Sequence, residues 1–267
     1  MTPMRSVKRQ KGMPKRSLPS IDIRSLETQQ ELQACVDLQR KTWGRAFADV
    51  VPPSILKISR RLGGVAAGAF DGRGRMLGFV YGMTGVERGT VVHWSDMLAV
   101  LPAVQRMGIG RRLKEFQRAE VARVGARVIY WTYDPLVARN AHLNFNVFGV
   151  RVSEYVENMY GESRSPVHRG IGTDRLIVAW PVDDRELATR RAAIAAARDR
   201  ARDPVAAVRR IEVPARIDAL QKSDMRAARK WRRLTRAAFV EALSEGYSVN
   251  GFELDASGGR GSYILTK

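Results

Sequence analysis

Thirteen residues, Leu98-Ala-Val-Leu-Pro-Ala-Val-Gln-Arg-Met-Gly-Ile-Gly110, constrain the fold of this 267-residue chain more than any other stretch. Val91 to Val100 is apolar and β-branched in the manner of a buried strand, and Pro102 stops it. Arg111 to Val124 then sets Leu113, Phe116, Ala119 or Glu120, and Val124 near one helical stripe. A strand, a tight turn and a helix start follow one another without a break. Gly108 and Gly110 let main-chain N–H groups approach a ligand, while the helix start adds unpaired amides and a positive dipole end. An anion is expected there, and a pyrophosphate suits it.

Spacing excludes two common phosphate turns. A triphosphate loop needs G-x-x-x-x-G-K-[ST], whereas Gly110 is followed by Arg111-Arg112-Leu113. A dinucleotide fingerprint needs a third glycine, and Leu113 stands in its place, in mid-chain rather than after an early strand. What remains is Gln105-x-x-Gly108-x-Gly110, with Pro102 three residues ahead.

On these residues the chain resembles the GNAT N-acetyltransferase superfamily, whose acyl-coenzyme A motif runs from a strand through Gln105-Arg106-Met107-Gly108-Ile109-Gly110 into a helix. Ala126 to Tyr133 looks like the family's next strand, Asn140 to Gly149 like its next helix, and Val150 to Val156 like the strand after that. Upstream, Gly64 to Phe70 and Met76 to Thr84 read as a hairpin around Asp71-Gly-Arg-Gly74, and Leu26 to Trp43 as an opening helix. The whole chain is also similar to a bacterial branch of the superfamily marked by Trp131-Thr-Tyr-Asp-Pro-Leu136, by Gly172-Thr-Asp-Arg-Leu176 and by a C-terminal extension. The resemblance implies an α/β fold with a mixed sheet: a basic, disordered tail over 1–17, an acyltransferase domain over 18–182, and a helical bridge with an α/β extension over 183–267. Asp184 to about Arg202 reads as the bridge helix. The extension reads as a strand near Val208 to Val213, a helix from Ile217 to about Ser244, and strands Tyr247–Leu254 and Ser262–Leu265 joined by Gly258-Gly-Arg-Gly261. It would extend the sheet or dock on a dimer partner, with Trp231, Phe239, Tyr247 and Phe252 as apolar surface.

Composition narrows the partners. The formal net charge is +19. The basic residues are dispersed and no recognition module is visible, which argues against nucleic acid and leaves a field that attracts an anionic co-substrate. Cys35 stands alone, so the chain holds no disulfide framework, and His93, His142 and His168 lack metal-site spacing, so no metal is expected. A cytoplasmic protein without a membrane span is the expectation: residues 1–17 are basic but lack the apolar stretch of a signal peptide.

The resemblance also implies roles. Acetyl-CoA or another acyl-CoA would be the co-substrate. Its pyrophosphate would lie on the amides of Gln105, Arg106, Met107, Gly108, Ile109, Gly110 and Arg111, and its pantetheine against the backbone of Leu98, Ala99 and Val100, with Asn140 and Asn144 alongside. The family places a base on the strand before the turn, where this chain offers His93 and Asp96; Glu87, Asp134 or a water route are alternatives. Three residues apart in a strand, His93 and Asp96 face opposite ways, so one of them at most meets the substrate. The usual tyrosine acid is replaced by Phe145, leaving Tyr133, Tyr155, Tyr160 or water to protonate the thiolate. Arg139, His168, Arg169 and Arg175 would border the acceptor. The reaction implied is transfer of an acetyl or other short acyl group, succinyl included, to the amine of a small molecule such as an amino acid. A coenzyme A sensor or assembly protein without turnover is the alternative.

Overall fold

In a computed structural model, residues 21–45, 47–161, 170–203, 207–255 and 258–267 are described. The tail 1–17, His168 and Arg169 lie outside them.

The chain begins with β1 (Asp22–Ser25), α1 (Gln29–Trp43) and α2 (Pro53–Arg61), of which β1 and α2 escaped the sequence reading. A capping box starts α1: the Thr28 hydroxyl accepts from Glu31 N, and the Glu31 carboxylate accepts from Thr28 N. The hairpin follows as β2 (Val65–Phe70) and β3 (Met76–Glu87), turning on Asp71, whose carboxylate accepts from the amides of Arg73 and Arg75. Next come β4 (Thr90–Val100), α3 (Ile109–Arg123), β5 (Val128–Tyr133) and α4 (Ala138–His142), the last running into a π-helical turn over Leu143–Phe148. β6 (Arg151–Val156) and β7 (Arg175–Pro181) complete a seven-stranded sheet of order β1-β2-β3-β4-β5-β7-β6. Only β4 and β5 pair in parallel; the other neighbours in that sheet are antiparallel.

Two apolar clusters lie on opposite faces. Phe70, Phe79, Tyr81, Met97 and Ala99 meet α1 and α2. Val65, Ala67, Val80, Ile129 and Trp131 meet α3 and the helix of 138–148. Every residue of β2 is buried, as expected of a strand covered on both faces.

The extension consists of α5 (Asp184–Arg200), β8 (Arg209–Pro214), α6 (Ile217–Ser223), α7 (Met225–Ser244), β9 (Ser248–Leu254) and β10 (Arg260–Thr266). The single helix expected over 217–244 is broken at Asp224, whose carboxylate caps α7 by accepting from Ala227 N. β8, β10 and β9 form their own three-stranded sheet, so the extension does not lengthen the large one. It shares a core with the elements before it: Tyr263 meets Phe145, Phe239 and Phe252 at centroid distances of 6.0, 5.0 and 5.0 Å, edge to face. Two of the four expected aromatics, Phe239 and Phe252, are sealed in that core, while Trp231 and Tyr247 lie half-buried under Arg260 and Arg209.

Candidate functional site: a parted strand pair above a glycine turn

β4 and β5 pair over Val92, His93 and Trp94 against Val128, Ile129 and Tyr130, and nowhere else. Beyond that point β4 runs on to Val100 and β5 to Tyr133 without meeting. The cause is visible on β4. Gly82 opposes Ser95 and Tyr81 opposes Met97, which leaves Asp96 as an extra residue, a bulge that bends the strand away from β5. The gap therefore opens where Asp96 stands. Nothing in the alternation of apolar residues announced that bulge.

At the mouth of the gap lies the turn. Arg106 has φ of +69° and Gly108 of +75°; the first is a left-handed conformation held by a side chain that disfavours it, costing about 1 kcal/mol. Gly108 is the N-cap of α3, and Arg112 N, bonded to Gly108 O at 3.0 Å, is the first amide of the helix with an acceptor. Among the described residues no backbone acceptor meets the amides of 106–111, whereas Gln105 N reaches Pro102 O. Gln105, Arg106 and Arg111 are exposed, Met107 and Gly110 half-buried, and Ile109 is sealed in the core, so Ile109 offers only its amide. Arg111 pairs with Glu115 at 2.7 Å rather than standing free. On β4, Ala99 O points into β3, close to where a Cβ on Gly78 would stand, and alternation turns the carbonyls of Leu98 and Val100 to the gap. Val100 O is met there by Gln105 Nε2 at 3.1 Å.

The two candidate bases part company. His93 is fully buried: Gln117 Nε2 donates to its Nε2 at 3.0 Å, and its Nδ1 donates to Thr84 Oγ1 at 2.9 Å, whose own hydroxyl donates to Gly63 O. Burial, with a smaller effect of Lys114, holds the imidazole down at about 3. A ring with both nitrogens engaged and no route to solvent takes no proton from a substrate, so His93 is corrected to a structural group. Asp96 is exposed overall, yet partial burial of its carboxyl, then the like charge of Asp49, push it upward. Asp134 carries a different burden, bonded by Arg232 Nη2 at 2.5 Å and to Leu136 N at 2.8 Å.

The candidate acids are also sorted. Tyr133 is buried and donates to Tyr263 Oη at 3.3 Å, while Tyr263 donates to Pro135 O; burial raises the Tyr133 phenol. That pair belongs to the joint with the extension, which corrects Tyr133 as a proton donor. Tyr155 is bound to Asp174 at 2.6 Å. Tyr160 is exposed on the other face of β5, its hydroxyl 3.0 Å from Thr132 Oγ1. Asn144 is buried with Oδ1 accepting from Trp131 Nε1 at 3.2 Å, so its side chain is committed to packing; Asn140 is half-buried in the first turn of α4. Arg139 is exposed on α4, and Arg175 is buried beside Tyr160 and Asp134.

Two side chains that the sequence reading passed over complete the surroundings. Lys114 is buried on α3, donates to Gln117 Oε1 at 3.1 Å and lies 3.7 Å from the Trp131 ring centroid, directly below the point where the strands part. Arg232 reaches from α7 to Asp134. Its spacing with Arg229, Arg233 and Arg236 on one helix face was there to be read. Among the described residues no three His, Cys, Asp or Glu side chains gather as a metal would require, and no helix is long and apolar enough to cross a membrane.

No family model matches the chain, and no curated protein does. Solved structures are similar to it. The ribosomal-protein-S18-alanine N-acetyltransferase from Escherichia coli is 21% identical over 61% of this chain and 95% of its own, with a TM-score of 0.46. Aminoglycoside 6'-acetyltransferase type Ii is 20% identical over 61% and 97%, with a TM-score of 0.48. An acetyltransferase of GNAT family from Streptococcus pneumoniae is 15% identical over 61% and 99%, also at 0.48. Likenesses this distant carry no function from those proteins to this one.

Proposed function

We propose that this chain is a GNAT-type N-acyltransferase, which moves an acetyl or other short acyl group from acyl-CoA to the amine of a small molecule by direct attack on the thioester. One observation carries the reading: parallel neighbours β4 and β5 part beyond Trp94 and Tyr130, and the gap opens above a turn with unpaired amides. A parallel pair that could stay zipped and does not leaves strand-edge polar groups in need of a partner. An extended pantetheine has amides at the spacing to supply one, and a pyrophosphate suits the turn. Leu98 and Val100 would receive the arm, and binding would release Val100 O from Gln105.

Asp96, at the vertex of the gap, takes the proton of the attacking amine. A positioned base contributes about 10² to 10⁴ in rate. Asp96→Asn should cut kcat/KM by that factor while leaving acyl-CoA affinity unchanged. Because the Asp96 carboxyl is pushed up, the acid limb of the wild-type pH profile should lie above the ordinary aspartate value of about 3.9 and vanish in the variant. Phe145 and the Tyr133–Tyr263 pair offer the thiolate no proton, so the leaving group depends on solvent.

The test is a thermal-shift titration with acetyl- and succinyl-CoA followed by a thiol-release assay over amine acceptors, amino acids included. A donor at a hundred times its Kd should add about 2.7 kcal/mol. Gly108→Val should abolish the shift, since the substitution forces a β-branched residue to positive φ and puts its side chain where the diphosphate lies. Absence of any shift with the wild type would sink the reading; a shift without thiol release would favour the sensor that Phe145 also suits.

A further inference from the structure

We propose that the face of α7 bearing Arg229, Arg232 and Arg233 is an oxyanion-binding site, and that the amine acceptor carries a carboxylate or phosphate which this site holds. The word acceptor rests on the acyl-transfer reading; the anion site does not.

A hollow of about 250 Å³ lies between α7 and the backbone of Gly170 to Gly172, lined by four arginines, 229, 232, 233 and 236. At i, i+3, i+4 and i+7 they share one helix face. Their neutralisation is uneven. Arg236 is taken by Asp174, at 2.5 and 2.9 Å, and by Glu157 at 3.2 Å. Arg232, only 4% exposed, gives Nη2 to Asp134 and Nε to Ile171 O, but its buried Nη1 has no hydrogen-bond partner among the described residues, and an Asp174 carboxylate oxygen stands 4.0 Å from it. Arg229 reaches a single carbonyl, Gly170 O, at 3.1 Å. Arg233 forms no ion pair with any described residue. Guanidinium groups crowded on one face repel unless something negative sits between them, and a two- or three-oxygen anion accepts from several of their forks at once.

The hollow is coupled to the cleft through one carboxylate. Asp134 follows the last residue of β5, the strand that parts from β4, and it holds Arg232 on one side while Arg175 stands 3.9 Å away on the other. An acceptor anchored on α7 by its oxyanion would therefore present the rest of its body toward the end of β5, the end at which the gap is open. This gives the extension a part in recognition as well as in stability.

The decisive measurement titrates inorganic phosphate and succinate into the full chain at constant ionic strength, with chloride as control, using calorimetry and thermal shift. Three proteins are compared: wild type, Arg229→Gln/Arg233→Gln, and Gly108→Val, which removes the other anion turn. The expected result is saturable binding of one or both anions that Gly108→Val keeps and the double variant weakens at least tenfold; the anion preferred tells carboxylate from phosphate. Arg229 and Arg233 are exposed, so the double variant should fold; Arg232→Gln is avoided because it would strand Asp134. No saturable binding beyond chloride, or binding that survives in the double variant, overturns the proposal. In turnover, the double variant should raise KM at least tenfold for amines bearing the oxyanion and leave KM for their neutral amide counterparts and for acyl-CoA unchanged; equal losses for both would overturn it too. If acyl-CoA fails to bind the wild type, the activity is refuted while the anion titration still decides the hollow.

Discussion

Two cations are buried in this chain to nearly the same depth, Lys114 at 3% exposure and Arg232 at 4%, and the fold treats them in opposite ways. Around Lys114 there is an amide oxygen and an indole ring and, among the described residues, no ion-paired carboxylate. Arg232 meets Asp134 at 2.5 Å and has Asp174 within 4.0 Å. A lysine can surrender its proton and an arginine cannot. An isolated buried ammonium costs several kcal/mol even after relaxation, more than the about 2 kcal/mol a desolvated cation–π contact returns, so burial drives the Lys114 amine toward its neutral form. The ground below the parted strands is consequently dry and pushed toward neutrality. At the end of β5, where Arg232 of α7 reaches Asp134, charge is retained and carboxylates had to be supplied. The difference separates the ground beneath the parted strands from the place where α7 meets the end of β5.

The comparison breaks most readily at Asp174. It is wholly buried, and it serves Arg236, Tyr155 and the amide of Asn158 at once. Asp174→Asn keeps the shape and removes the charge, leaving Arg236 and the orphaned Nη1 of Arg232 without their common anion. Loss of one partner from a buried pair costs about 3–5 kcal/mol. Urea unfolding should show a loss of that size. A loss under 1 kcal/mol would mean that the ionic end of β5 is as indifferent to charge as the dry ground around Lys114.

A smaller effect concerns acid, on the dry side. His93 has a folded-state value near 3 against about 6.5 in the unfolded chain, so below pH 6.5 the unfolded state binds a proton that the native state refuses. Stability is complete above pH 6.5 and falls by about 1.4 kcal/mol per pH unit as pH drops toward 3. Between pH 7 and 5 His93 alone should contribute a loss of about 2 kcal/mol. His93→Gln, compared with wild type at both values, isolates that share from the carboxylates; parallel pH curves for the two proteins would refute the burial of a neutral ring.

How much of this was legible beforehand differs along the chain for physical reasons. The turn at Gln105 to Gly110 and the elements around it are set by local signals, a stop at Pro102, glycines, and a helical stripe, and these stand within a residue or two of expectation. The bulge at Asp96 was hidden because it is decided by β3, whose Gly82 leaves room for His93 and fixes the register on either side. His93 read as a base because a histidine's partners are invisible in sequence; Thr84 stands opposite it on β3 and Gln117 comes from α3. Trp131 to Leu136 and Gly172 to Leu176 stood out as motifs without a stated role. Together they form the joint to the extension: Tyr133 and Pro135 hold Tyr263, while Asp134 and Asp174 hold Arg232 and Arg236. Neither motif explains itself without α7, which lies much later in sequence.

The smallest loss is the sharpest check on the comparison. If the Lys114 amine is neutral, Lys114→Met replaces one uncharged, flexible side chain by another of similar length, and the only group left short is Gln117 Oε1, worth about 1 kcal/mol. Against that loss, the variant no longer has to strip a proton from a lysine on folding at neutral pH, a gain of opposite sign. The gain grows by about 1.4 kcal/mol for each unit by which the lysine value is depressed, so Lys114→Met should lose no stability at pH 7. The pH dependence gives the signature. Because the folded-state value of Lys114 is depressed below the ordinary lysine value of about 10.4, the wild type gains stability as pH rises toward 10, and Lys114→Met should lack that rise. The difference between the two proteins should therefore turn steadily in favour of the wild type from pH 7 to 10. Were the variant to lose 3 kcal/mol or more at pH 7 with no such drift, Lys114 would be a charged and paired cation, and the two buried cations would be treated alike after all.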